Sequence, residues 1–128
     1  MSDNNWHVQE TYHSMIEYGQ GMLRFAFLSN GASVIAILTF IGDLSAKSGE
    51  IPDMRAPLCI YLIGVISAGL SGMAAYFVQF TLFNESVGNT SGVKWNSHTR
   101  WLFIALGLIS LSVISFAIGS FVAVSQLQ

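Results

Sequence analysis

The sequence predicts an all-α integral membrane protein: an amphipathic N-terminal helix followed by three transmembrane helices in one membrane domain spanning residues 1–128. Composition is the first observation behind this. The 128 residues are 52% hydrophobic and only 9% charged, whereas a soluble domain carries roughly a quarter charged residues. The second is the length of the charge-free stretches. Arg24 and Asp43 enclose 18 uncharged residues, Arg55 and Glu85 enclose 29, and nothing after Arg100 is charged. A helix rises about 1.5 Å per residue, so 18 to 20 residues cover the roughly 30 Å hydrocarbon core. The third is the absence of a basic run at a net charge of −2, which leaves no footprint for counterion-driven nucleic-acid binding.

Residues 5–24 read as the amphipathic helix. Val8, Tyr12, Met15, Ile16 and Leu23 recur at helical spacing, while His7, Glu10, Ser14 and Glu17 take the other side. Helices that lie on anionic lipid are usually rich in Lys and Arg, so this acidic face favours packing against protein. The tail also differs from a basic signal-peptide leader, and the expectation is that the mature chain starts near Met1. The sequence leaves open whether this helix runs on into span 1. No proline interrupts residues 5–42, but Gly19, Gly21 and Gly31 each permit a bend.

Span 1 is read as residues 25–42, ending at the Gly42-Asp43 turn signal. Pro57 suits the first turn of a helix, where its missing N–H is not needed, and span 2 covers 57–83. Those residues exceed the bilayer thickness, so the helix must tilt or project. Span 3 covers 100–124. The N-terminal tail and the loop after span 2 then share one side, with Arg24, Lys94 and Arg100 against Lys47 and Arg55 on the other. That bias leans towards a cytoplasmic N-terminus. Trp6, Trp95 and Trp101 all fall on the N-terminal side and are expected as interface anchors.

None of the spans carries an Asp, Glu, Lys, Arg or His in its middle. Ion-coupled transporters and proton pumps use such groups at depth, and haem held between helices needs axial ligands such as histidine. Cys59 is expected as a small core residue. Glu10-x-x-His13 resembles half of a carboxylate-bridged metal motif, which needs a second copy and further carboxylates; with Glu17, a solvated polar face with local pairs is expected. His98 beside Arg100 is expected as an interfacial pair. No nucleophile and base can be paired, so no catalytic residue, cofactor or metal site is expected. Asn84-Glu85-Ser86 and Asn89-Thr90-Ser91 match the glycosylation sequon, which matters only for a luminal loop.

Each span instead has a seam of small or weakly polar residues. In span 2 these are Ala68, Gly72, Ala75 and Gln79, flanked by Gly64, Ser67 and Ser71. Span 3 has Ser115, Gly119 and Ala123 next to Ser112, and span 1 has Asn30 and Ser33 near Ser29. Small residues at such spacing let helices approach closely where lipid removes the hydrophobic incentive. Two readings compete. The seams pack the three helices together, with Asn30 and Gln79 held by interhelical hydrogen bonds, or they line a pore between subunits of a homo-oligomer.

The stretch from Arg24 to Gly42, with Asn30-Gly31-Ala32 leading into an apolar run, resembles the first span of small multi-span bacterial inner-membrane proteins of uncharacterised function. It covers 19 residues. Holins and the membrane effectors of antiphage systems are similar in size and layout. Holin-like proteins commonly end in a charged tail, whereas this chain ends in Val-Ser-Gln-Leu-Gln. The resemblance implies a bacterial inner membrane. The functional expectation is an oligomeric pore-forming or membrane-perturbing protein, such as a defence or lysis effector, with the lipid bilayer and copies of itself as partners. The alternative is a non-catalytic accessory or scaffold subunit that docks a protein partner through its N-terminal helix.

Overall fold

The computed structural model describes residues 3–47, 52–86 and 98–127. Among these are three helices, α1 (Asp3–Lys47), α2 (Arg55–Ser86) and α3 (His98–Ser125). Each contains a stretch long and apolar enough to cross a membrane.

The expected amphipathic helix is not a fourth element. Residues 5–24 run directly into 25–42 as part of one 45-residue helix. The reason is local: no proline interrupts the ladder between Asp3 and Lys47. A glycine in a helix costs only about 1 kcal/mol relative to alanine, too little to break so long a ladder. For the same reason α1 continues through Gly42 and Asp43 to Lys47, since the first proline comes only at Pro52.

α2 begins at Arg55, two residues before the expected start at Pro57. Asp53 Oδ1 accepts the Arg55 backbone N–H at 3.1 Å, serving one of the donors a helix start leaves without an internal partner. Pro57 is buried in the first turn, where no N–H is required.

α2 and α3 pair antiparallel over most of their lengths. Tyr61 bonds to Ser120, Gly64 to Ser112 and Ser71 to Ala105, so the residue numbers fall along α3 as they rise along α2. α1 also runs antiparallel to α2, with Asn30 beside Gly64 and Tyr12 beside Gln79. The α2–α3 contact is the most extensive of the three and α1–α3 the least.

The interior combines many small residues, Ala26, Ala68, Ala74 and Ala105 with Ser67, Ser71, Ser112 and Ser115, with the larger Met54, Tyr61, Val78 and Ile109. Many other large apolar side chains stand outside, Phe103 being 68% exposed and Phe121 78%. So extensive an apolar surface, with the three long apolar helices, suggests a membrane protein.

Candidate functional site

The centre of the bundle is a polar node. Asn30 and Ser112 are both fully buried. Asn30 Nδ2 donates to its own helix at Ala26 O (2.9 Å) and across to α3 at Ser112 O (3.1 Å) and Ser112 Oγ (3.2 Å). Ser112 Oγ in turn donates to Gly64 O on α2 at 2.7 Å. One amide and one hydroxyl thus tie all three helices at one level. Gly64 makes the node possible: a Cβ there would stand 2.2 Å from Asn30 Oδ1 and 2.4 Å from Cγ. Oδ1 has no hydrogen-bond partner and is turned towards Gly64, where a Cα–H offers only a weak contact.

The other seam residues separate into two groups. Gly64, Ala68, Ser115 and Gly119 join Asn30 in the bundle interior. Gly119 accommodates Tyr61, whose ring carbons would lie 2.9 to 3.1 Å from a Cβ at that position, and whose hydroxyl bonds to Ser120 at 2.9 Å. The remaining residues stay partly open. Ser33 donates locally to Ser29 O at 2.8 Å, Ala123 is half-buried, and Gly72 has nothing within 4 Å of a Cβ position. Gln79 is exposed and accepts from Tyr12 OH at 3.5 Å.

Among the expected anchors, Trp6 is exposed and stacks on His7, with ring centroids 3.9 Å apart. Trp101 is half-buried against Phe77 at 4.7 Å. Trp95 lies outside the described residues. Cys59, expected in the core, is exposed. The buried face of α2 is set by Tyr61, Gly64, Ser67, Ala68 and Ser71, and Cys59, two residues before Tyr61, is turned about 200° away from it. Glu10, His13 and Glu17 are all exposed. No group of three or more His, Cys, Asp or Glu that could hold a metal occurs among the described residues.

On the N-terminal side of the node the helices leave a partly open cavity of about 880 Å³ between the first half of α1, the second half of α2 and the first half of α3. Its walls are mainly apolar. Leu23, Ala105 and Ile109 form the deep end, nearest the node, and Tyr12, Gln79 and His98 stand at the far end. Of the partly open seam residues, Gly72, Ala75 and Gln79 all line it. Tyr12, Ile16 and Leu23 of the expected amphipathic face turn towards it too.

A second surface lies along α1. Val8, Met15 and Met22 are spaced seven apart, as are Tyr18 and Phe25. All five are more than half exposed, Tyr18 reaching 75%, although Met15 and Met22 also stand at the edge of the cavity and Phe25 meets Phe116 of α3 edge-on. Sequence reasoning groups some of these residues as one apolar face but does not separate those turned inward from those left bare. Nor does it identify Tyr61 as the partner of Gly119, because that pairing depends on the α2–α3 register.

Comparison with protein-family models, characterised proteins and solved structures finds no match to this chain.

Proposed function

We propose that the chain is a non-catalytic accessory or scaffold subunit of a membrane complex, which crosses the bilayer three times and docks a protein partner through α1. The observation that carries this reading is the largely exposed stripe of Val8, Met15, Tyr18, Met22 and Phe25. A seven-residue apolar spacing is what a second helix reads when it packs alongside. The membrane is taken to be the bacterial inner membrane with the N-terminus cytoplasmic, as the balance of Arg24, Lys94 and Arg100 against Lys47 and Arg55 favours.

A scaffold is silent by itself. Expressed alone in bacterial cells, the chain should leave the membrane potential intact, as read with a voltage-sensitive dye. In its native cells, Met15→Lys with Tyr18→Lys should insert normally yet no longer migrate with a larger complex on a native gel. Depolarisation by the chain alone would count against this reading.

The second reading is an oligomeric pore-forming or membrane-perturbing protein. It is favoured by Gly72, Ala75, Gln79 and Ala123, which the bundle leaves partly uncovered. On that reading the subunits form a homo-oligomer of defined mass that leaks dye from liposomes, and Gly72→Ile abolishes both properties. The scaffold reading expects a small particle and tight liposomes.

A further inference from the structure

The two ends of the bundle differ. Asn30, Gly64 and Ser112 meet at one level, so depths along the helices can be measured from it at about 1.5 Å per residue. Towards the C-terminal end of α1 the helices close evenly: Asp43, Arg55 and the end of α3 at Ser125 lie about 20, 14 and 20 Å from the node. Towards the other end, Tyr18, Tyr76, Trp101 and Arg100 all lie about 17–18 Å from it. Aromatic rings and a cation at one depth are what a bilayer interface selects. The two levels stand about 31–38 Å apart, which matches the ~30 Å hydrocarbon core with part of its headgroup layers. Arg24, about 9 Å from the node, tilts towards this ring, as side chains on a helix tilt towards its N-terminus. α3 starts close to the ring at His98, but α1 runs on to Asp3 and α2 to Ser86, about 22 and 15 Å past it.

This two-helix arm leaves Trp6, Val8, Met15, Phe80 and Phe83 each more than half exposed. Headgroups extend only about 5–8 Å beyond the hydrocarbon, so lipid does not cover the outer part of the arm. Charge then decides between the remaining covers. Residues 3–23 and 75–86 contain Asp3, Glu10, Glu17 and Glu85 but no Lys or Arg. At the same end, Arg24 and Arg100 stand at the ring or nearer the node, and Lys94 lies outside the described residues. A second copy would bring a like-charged arm against this one, whereas a cationic partner is drawn to it. The pattern on α1 sets the form of that partner. Asp3, Glu10 and Glu17 recur every seven residues, as do Val8, Met15 and Met22, so both rows run straight enough for a second helix to follow. Tyr18 stands between the rows, about 60° round the helix from Met15 and about 100° from Glu17. We propose that the partner at α1 is a basic amphipathic helix, whose apolar face packs on Val8, Met15 and Tyr18 and whose Lys or Arg side chains, spaced seven residues apart, meet Glu10 and Glu17. The inference rests on the reading of α1 as a docking element and specifies the chemistry of what docks there.

To test it, the full chain is placed in phosphatidylcholine nanodiscs and titrated into a labelled synthetic peptide of about three heptads, with leucine at a and d and lysine at e and g. A second peptide carries glutamate in place of every lysine. Fluorescence anisotropy reads binding, with empty nanodiscs subtracted. At low salt the lysine peptide should bind about tenfold more tightly than the glutamate peptide, and the preference should shrink as salt rises. Glu10→Gln with Glu17→Gln should erase the preference. Val8→Asn with Met15→Asn should weaken the lysine peptide while leaving the helix content by circular dichroism unchanged. Equal binding of the two peptides, no binding beyond empty nanodiscs, or a preference that survives the glutamine substitutions overturns the inference. So does a dimer that Met15→Lys with Tyr18→Lys splits, because a second copy then covers the stripe. The native complex separates the failures. If that same lysine pair still releases the chain from its larger complex in cells, only the basic character of the partner is overturned; if the complex is unchanged, docking through α1 falls with it.

Discussion

Asn30 carries an imbalance that its surroundings do not correct. Its Nδ2 reaches three acceptors, while its Oδ1, fully buried, has no hydrogen-bond partner. A buried acceptor left this way costs about 1–3 kcal/mol, and the amide is held because Gly64 admits it and Ser112 completes the link to α2. Gly64→Ala should therefore destabilise the bundle by about 1–3 kcal/mol through overpacking. Asn30→Ala in the same chain should recover part of that loss, because the colliding atoms are gone. A double-mutant cycle on unfolding in micelles reads the coupling, and strict additivity would show that the two residues do not meet. At Gly119 the equivalent contact is with Tyr61, and removing the hydroxyl by Tyr61→Phe loses the Ser120 bond. Interhelical bonds in membranes average about 0.6 kcal/mol, so that effect should be the smaller of the two.

At the scale of elements, α1 is the unusual part. Forty-five residues rise about 67 Å, more than twice the roughly 30 Å hydrocarbon core, so on the proposed three-span arrangement a large part of this helix would project beyond the membrane or tilt steeply within it. Its N-terminal half comes near α2 where Tyr12 OH lies 3.5 Å from Gln79 Oε1. With Cys59 changed to Ser, Tyr12→Cys and Gln79→Cys should be joined by a short bifunctional crosslinker, giving a faster band on a denaturing gel after cleavage between α1 and α2 is excluded as its cause. Absence of the crosslink would mean that the first half of α1 leaves the bundle. Gly21→Ala is a gentler probe. Nothing lies within 4 Å of the added methyl, so helix propensity alone should act, stabilising α1 by up to about 1 kcal/mol. Thermal melting followed by helical circular dichroism would register it.

For the molecule as a whole, the distribution of side-chain size sets the expected behaviour. Much of the interior is alanine, serine and glycine, which gain little hydrophobic free energy in water, while Phe27, Phe103 and Phe121 are left outside. The protein should therefore require detergent or lipid to stay monodisperse. If, as proposed, all three helices cross, Ser14 and Ser125 lie on opposite sides of the bilayer. Single-cysteine variants at Ser14 and Ser125, in a Cys59→Ser background, should react with a membrane-impermeant maleimide from opposite faces of sealed vesicles. Labelling of both from one face would exclude an odd number of spans.

The three spans are legible without coordinates because length, charge and apolarity belong to consecutive residues. The interior positions of Asn30, Gly64, Ala68, Ser115 and Gly119 are also foreshadowed, since small and weakly polar residues at helical spacing mark faces that can approach closely. Continuity through Gly19, Gly21 and Gly31 is not legible in this way, because a glycine permits a bend without requiring one. Likewise, the size of Tyr61 says nothing of Gly119, nor does Asn30 announce Gly64. Such pairings depend on the rotation and register of helices separated by loops. Three apolar helices follow from the order of residues along the chain. Which seams close into a node and which remain open as a cavity depends on where the three helices meet and diverge in space.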